Sequence, residues 1–283
     1  MGDVPADSRL DLEGRTLGWF DHGTGAPIVF LHAFPLNATM WHRHIDALPA
    51  GWRGVAPDLR GFQHSRREGG TPAHHVRDHA EDVLALLDHL SAGPAIIVGL
   101  SMGGYVAFEC WRQRSAAIAG LVLVDTRAEP DTEDARARRR QMQDLVRTSG
   151  PSALADAMLP ALLGATTQTT NPHRAVEVRR LIEANQADAM HDALETLRSR
   201  PDSRQTMASI TCPTLVVVGE DDMLTPLAMA QTIATGIAKA TLVSIPGAGH
   251  LSSLEQPETF ATVLHGWLQA TFPDGPVPSR QVQ

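Results

Sequence analysis

Short apolar runs alternate with amphipathic stretches through the first half of the chain; the pattern then stops for about eighty residues and resumes. Residues 28–31, 95–98 and 121–124 are unbroken apolar tetrads, and 214–219 and 242–245 add two comparable runs. Runs this short, rich in Ile and Val and bounded by Gly or Pro, predict strands buried on both faces of a parallel sheet. From Val76, the apolar Ala80, Val83, Leu84, Leu87 and Leu90 recur at helical spacing, which predicts an amphipathic helix over 76–91. Further helices are predicted over 39–48, stopped by Pro49 and Gly51, directly after Ser101, and over 258–268. Residues 10–20 read as two short strands turning at Glu13-Gly14, 54–56 as another strand, and 21–27 and 57–62 as loops. Strands alternating with helices in this way predict an α/β fold with a mostly parallel sheet covered on both faces.

The break begins at Asp125. From there to about Ser209 the composition turns to Ala, Arg, Glu, Gln, Leu and Met, with no strand-like run. Three or four helices are expected, separated at Ser149-Gly150-Pro151, in the polar stretch 166–172, and near Arg200-Pro201. The expectation is one domain over 1–272 carrying a helical lid insertion at about 126–209. The Pro-rich, polar tail 273–283 reads as disordered. No internal repeat is present.

Composition narrows the class only a little. With 283 residues, 43% hydrophobic and 20% charged, the chain has the make-up of a soluble domain with an ample core. A formal net charge of −8 argues against a nucleic-acid partner, which would call for a basic face. Cys110 and Cys212 are far apart and lack CxxC or metal spacing, so reduced thiols and a cytoplasmic location are expected. The first eleven residues lack the apolar core of a signal peptide, and Ala6 stands where myristoylation wants Ser or Thr. No apolar run approaches membrane-spanning length.

Candidate chemistry sits at the strand ends. The 95–98 run leads into Gly99-Leu100-Ser101-Met102-Gly103, a G-x-S-x-G pentapeptide between a predicted strand and a predicted helix. A nucleophile elbow needs this context: the turn holds its serine in a strained conformation, so the positions two before and two after must lack side chains. A serine hydroxyl also needs an adjacent base, and the base needs an orienting group. Asp221 and Asp222 follow the 214–219 strand and His250 follows the last strand, giving the order Ser…Asp…His. Loops after parallel strands open on one edge of the sheet, so these residues can converge there.

Taken together, LHAFPLNATMW (31–41), DLRGFQHS (58–65), GLSMGG (99–104), GEDDMLTP (219–226) and GAGHLSSLEQPE (247–258) resemble the α/β-hydrolases of the small, cofactor-free kind. The resemblance runs from about Leu10 to Leu268. It points toward bacterial carboxylesterases, 3-oxoadipate enol-lactonases and metal-free haloperoxidase/perhydrolases. It implies a serine esterase or lactonase acting on a small-molecule substrate, without cofactor or metal. Ser101 would be the nucleophile and His250 the base, with the N–H groups of Phe34 and Met102 as the oxyanion hole. The family's D-x-x-T-P pattern falls on Asp222-Met223-Leu224-Thr225-Pro226, which assigns the orienting carboxylate to Asp222 and leaves Asp221 solvated or capping a loop. Two departures stand out: Ala33 replaces the usual Gly before the oxyanion donor, and Gln63 replaces the second Gly of DxRGxGxS. The same triad would also serve a perhydrolase or a C–C bond hydrolase, and a binding protein could keep the fold without turnover.

The remaining candidates read more plainly. His32 is expected to brace the oxyanion loop. His75 and His79 have a metal-compatible spacing, but with no third ligand nearby they read as a solvated helix face. Trp41, Tyr105 and Trp111 read as packing. Met158, Leu159, Leu162 and Leu163 suit insertion packing or an acyl pocket, with Met158 and Leu162 the pocket candidates. Arg136, Arg138, Arg139 and Arg140 read as a solvated face, with Asp134 one turn before Arg138 as a partner.

Overall fold

In the computed structural model, which describes residues 8–65, 72–91 and 93–273, the apolar runs form the centre of an eight-stranded sheet. The strands are β1 (Ser8–Leu12), β2 (Arg15–Gly23), β3 (Ala26–Leu31), β4 (Trp52–Pro57), β5 (Ala95–Leu100), β6 (Ile118–Val124), β7 (Thr214–Gly219) and β8 (Ala240–Ile245). Their order is β1-β2-β4-β3-β5-β6-β7-β8, with β2 antiparallel to its neighbours and every pair from β4 to β8 parallel. Every residue of β5 and β7 is buried, as expected for strands covered on both faces. Before the insertion come α1 (His42–Asp46), α2 (Val76–Leu90) and α3 (Met102–Arg114); α3 packs on β3, β5 and β6 and against α2. The insertion holds α4 (Glu133–Leu162), α5 (Ala165–Thr170), α6 (His173–Glu183), α7 (Ala187–Ser199) and α8 (Arg204–Met207). After β7 follow α9 (Leu227–Gly236), α10 (Ser252–Glu255) and α11 (Pro257–Thr271). Among the described residues no helix is long and apolar enough to cross a membrane. The N-terminal segment 1–7 and the tail 274–283, on which the leader and disorder readings bear, lie outside the described residues.

Several elements depart from the sequence reading. β2 continues through Asp21, His22 and Gly23, read as loop, because these residues pair with Val55, Gly54 and Arg53 of β4 and Asp21 forms an ion pair with Arg53. The helix read over 39–48 is a 3-10 turn, Ala38–Trp41, followed by the short α1. Ser149-Gly150-Pro151 is a kink inside α4 rather than a gap, with Gly150 at φ 79°. The polar stretch 166–172, read as a separator, contains most of α5. The α9 helix, with only Ala230 and Ile233 buried, offers little apolar periodicity and went unread.

His75 and His79 do not share a solvated face. The N–H of His75 donates to Asp78 Oδ2 (3.0 Å) at the start of α2, whereas His79 is wholly buried with neither ring nitrogen hydrogen-bonded among the described residues. Burial pulls the His79 pKa down to about 4. In the unfolded chain it titrates near 6.5, so this contribution to stability is intact above that value and is lost as pH falls toward 4. Urea unfolding at about pH 7 and pH 5 should show wild type losing roughly 2 kcal/mol more than His79→Leu over that interval. Equal losses in the two proteins would rule this out.

Candidate active site

β5 runs straight into α3 through Ser101, which adopts φ 52°, ψ −107°. A non-glycine residue in that region is strained, and the turn survives only because its neighbours allow it. A Cβ on Gly99 would lie 2.3 Å from the Gly103 carbonyl oxygen, and one on Gly103 would lie 2.3 Å from that of Leu31. The flanking glycines of the pentapeptide are therefore demanded by backbone crossing backbone. The turn is held from outside: Ser101 N–H donates to the Val124 carbonyl (2.9 Å), and Thr126 Oγ1 donates to the Ser101 carbonyl (2.9 Å).

The parallel register brings the ends of β5, β7 and β8 to one edge, and the loops beyond them meet there. His250 Nε2 is 2.9 Å from Ser101 Oγ, and His250 Nδ1 is 2.9 Å from Asp222 Oδ2. Asp222 is itself fixed: Oδ1 accepts the N–H groups of Leu224 (2.8 Å) and Thr225 (2.9 Å), and Oδ2 accepts Thr225 Oγ1 (2.6 Å). Burial would raise the Asp222 pKa, but His250 and these donors outweigh it and bring it to about 2. Burial likewise works against a charged His250, yet the adjacent Asp222 raises its pKa above the ordinary imidazole value. Asp221 faces elsewhere, its Oδ2 accepting Thr166 Oγ1 of α5 (3.1 Å).

This constellation is matched by what the chain resembles as a whole. Residues 26–257 match the model of the alpha/beta hydrolase fold family. The chain belongs to the α/β-hydrolases. It is 30% identical over 89% of its length to the AB hydrolase superfamily protein YisY of Bacillus subtilis, covering 95% of that protein. It is 27% identical to 3-oxoadipate enol-lactonase 1 of Acinetobacter baylyi, covering 95% of this chain and 99% of that one. Among solved structures, a thermophilic esterase from Thermogutta terrifontis with malate bound superposes with a TM-score of 0.88 at 35% identity, over 93% of this chain and 99% of the esterase. An enol-lactonase from Burkholderia xenovorans gives a TM-score of 0.84 at 26% identity, over 93% of this chain and all of that one.

The α/β-hydrolase site here includes two buried carboxylates absent from the sequence reading. Asp125, the residue after β6, sits at φ 43° and joins three strand-end loops. Its Oδ1 accepts Gly219 N–H (2.9 Å), and its Oδ2 accepts Ser252 N–H (3.0 Å) and Oγ (2.6 Å). Burial, with Asp222 close by, pushes its pKa up to about 8. Glu255 accepts the N–H groups of Gly249 (2.9 Å) and Leu251 (3.2 Å) on either side of His250, and with its other oxygen that of Gly164 in the insertion (2.8 Å). Both lie where a signal existed. Asp125 marks the point where the strand pattern stops, and Glu255 falls within the GAGHLSSLEQPE motif.

On the oxyanion side, His32 is wholly buried and braces its loop: Nε2 accepts Leu59 N–H (3.0 Å) and Nδ1 lies 3.0 Å from the Ala33 carbonyl oxygen. Gln63 adopts φ 36°, the left-handed region that favours glycine. Ser101 and His250 open onto a cavity of about 270 Å³ that Phe34, Met158 and Leu162 help to line. Met102 is buried as the first residue of α3. Trp41 and Trp111 are packed as expected, whereas Tyr105 also lines the cavity and carries the Arg200 guanidinium 4.4 Å over its ring. The arginine reading needs correction. Arg138 and Arg140 are exposed, as read, but Arg138 also lines the cavity; Arg139 is half-buried, lines it too and pairs with Asp131 (3.3 Å). Arg136 pairs with Glu133 (2.9 Å), and among the described residues no ion pair joins Asp134 to Arg138. The reading failed because α4 turns this side toward the strand ends, which helical spacing alone does not reveal.

Proposed function

We propose that this α/β-hydrolase cleaves carboxylic ester or lactone bonds of small substrates through an acyl-enzyme on Ser101. The observation that carries the reading is the unbroken line Ser101 Oγ–His250–Asp222, both links 2.9 Å, with Ser101 and His250 lining the cavity. In this mechanism His250 Nε2 takes the Ser101 hydroxyl proton as Oγ attacks the carbonyl carbon. Asp222 balances the imidazolium. The N–H groups of Phe34 and Met102 receive the oxyanion; as the first residue of α3, Met102 has no intrahelical carbonyl to donate to. Collapse of the tetrahedral intermediate expels the alcohol oxygen, which takes the proton from His250. Water, deprotonated by the same imidazole, then attacks the acyl carbon and releases the acid, regenerating the Ser101 hydroxyl. With a lactone both products remain one molecule. The esterase and enol-lactonase names among the similar proteins support this class.

The segment from about 126 to 209 acts in this reading as a lid on the single domain, with Met158 and Leu162 on the acyl side. The free, buried thiols of Cys110 and Cys212 support a reducing, cytoplasmic setting. Labelling with a fluorophosphonate tests the mechanism. One phosphonyl group per chain is expected, mapped by mass spectrometry to the peptide containing Ser101, with ester turnover falling in proportion. Labelling at another residue, or full turnover by the labelled protein, would refute it. Acylation by an ester without release would identify a binding protein of this fold instead.

A further inference from the structure

The cavity over Ser101 has an unusual charge for a site that would only need to hold an apolar acyl chain. Arg127, from the loop after β6, and Arg138 and Arg139, from α4, all line it, and no Asp or Glu does. Much of the remaining wall is apolar, including Met142, Met158 and Leu162. Arginines beside a cavity are unremarkable when carboxylates neutralise them, so the pairing decides the matter. Asp131, with its side chain fully buried, is shared by Arg127, Arg139 and Arg200. Three guanidiniums on one carboxylate leave two positive charges uncompensated in this cluster, and Arg138 has no ion pair or hydrogen bond among the described residues.

The four arginines are not equivalent. Arg200 is spent on structure: it donates to Asp131 (2.8 Å) and to the carbonyls of Leu197 (2.8 Å) and Glu129 (3.0 Å), and its side chain is 2% exposed. Among the described residues Arg127, like Arg200, keeps its Nε buried without a partner, and Arg139 holds Asp131 only by the longer 3.3 Å contact. Burial pulls the Arg139 pKa down, the sign of a cation left short of counter-charge. Arg138 is exposed and keeps its hydration, but Arg127 and Arg139 are half-buried; taking such cations from water without sufficient anions is unfavourable, and apolar walls screen little of that charge. A bound anion would relieve it.

We infer that the substrate carries a carboxylate in addition to its scissile ester or lactone bond, and that Arg127, Arg138 and Arg139 receive it. The inference rests on the reading of Ser101 as the nucleophile and names the substrate class of that site. A guanidinium presents paired N–H groups that match the two oxygens of a carboxylate, and Asp131 holds Arg127 and Arg139 in place for that role. The balanced reaction is a half-ester of a dicarboxylic acid, or a carboxylated lactone, plus water. It gives the dicarboxylate and alcohol, or the opened hydroxy-diacid.

Mono-4-nitrophenyl glutarate and 4-nitrophenyl pentanoate test this, since they place a carboxylate or a methyl group at the far end of the same acyl chain. Wild type is expected to favour the glutarate ester in kcat/KM by about tenfold or more, a preference that weakens as salt is raised. In Arg138→Gln and Arg139→Gln the glutarate ester should lose about tenfold more than the pentanoate ester, mainly through KM. Thermal melting checks the folding of the Arg139 variant; Arg138, lacking a partner, supplies the variant least able to disturb the fold. Monomethyl glutarate titrated into Ser101→Ala gives a readout independent of turnover and should bind, whereas methyl pentanoate, which lacks the carboxylate, should not. A wild-type preference for the pentanoate ester, discrimination unchanged in both arginine variants, or equal binding of the two methyl esters would overturn the inference. Those results would leave the proposed hydrolysis standing if Ser101→Ala abolishes both activities; turnover of either ester by Ser101→Ala would instead remove the reading of the site itself.

Discussion

Ser101→Ala is expected to lower kcat/KM on a short 4-nitrophenyl ester on the order of 10³-fold or more, with the fold unchanged. Among the described residues the only hydrogen bond of its hydroxyl is the 2.9 Å contact with His250, so alanine deletes the proposed nucleophile while leaving the strained turn, its glycines and the backbone bonds to Val124 and Thr126 in place. What survives is the positioning of water by the cavity and by the N–H groups proposed for the oxyanion, a residual catalysis that can still exceed the reaction in water. A loss of 10³ corresponds to about 4 kcal/mol of transition-state stabilisation, far above the effect of losing one ordinary hydrogen bond. Near-ultraviolet circular dichroism should match wild type. A variant keeping more than about a tenth of the activity would mean that His250 activates water directly and that no acyl-enzyme forms.

The legible parts of this protein were those in which local pattern and global position coincide. Residues 214–219 are β7 as read, because a parallel strand buried on both faces must be apolar throughout. Ser101, the Asp221–Asp222 pair and His250 could be proposed from chain order because each follows a strand of the parallel part of the sheet, whose loops open on one edge; the choice of Asp222 came from the resemblance. What escaped was set by tertiary contact. His79 looked polar and solvated at helical spacing, yet lies on a buried face of α2. Arg138 and Arg139 looked like half of a solvated cluster until α4 was seen to lean over the strand ends. Asp125 marks a break in the pattern and Glu255 sits in a motif, but neither feature reveals what the carboxylate holds. Their partners, Gly219, Ser252, Gly249 and Gly164, come from distant loops, and only folding brings those N–H groups to a carboxylate.

Asp222→Asn should reduce kcat on the order of 10²- to 10⁴-fold, and Asp221→Asn by no more than a few-fold. The two residues are adjacent but face different partners: Asp222 reaches His250 Nδ1 at 2.9 Å, and Asp221 reaches Thr166 of the insertion at 3.1 Å. Asparagine is the informative replacement because its carbonyl oxygen can still accept the Leu224 and Thr225 N–H groups, so the loop stays folded. What it lacks is the charge that balances an imidazolium and the second acceptor that fixes the tautomer. The pH profile supplies a second signature. The base must be neutral to work, and Asp222 holds the His250 pKa above its ordinary 6.5, so wild-type kcat/KM should fall on the acid side with a midpoint above 6.5. Without the Asp222 charge, burial dominates, and the residual activity of Asp222→Asn should persist to lower pH. Asp125 also favours the charged imidazole, and its own raised pKa depends in part on Asp222, so the shift in Asp222→Asn is the loss of Asp222 net of any charge that Asp125 gains. Asp221→Asn should leave the acid limb where it is. A larger loss in Asp221→Asn would move the orienting role there, against the geometry. Small, equal losses with an unmoved limb would hand it to Asp125, the one other carboxylate that bonds to both the β7 end and the His250 loop.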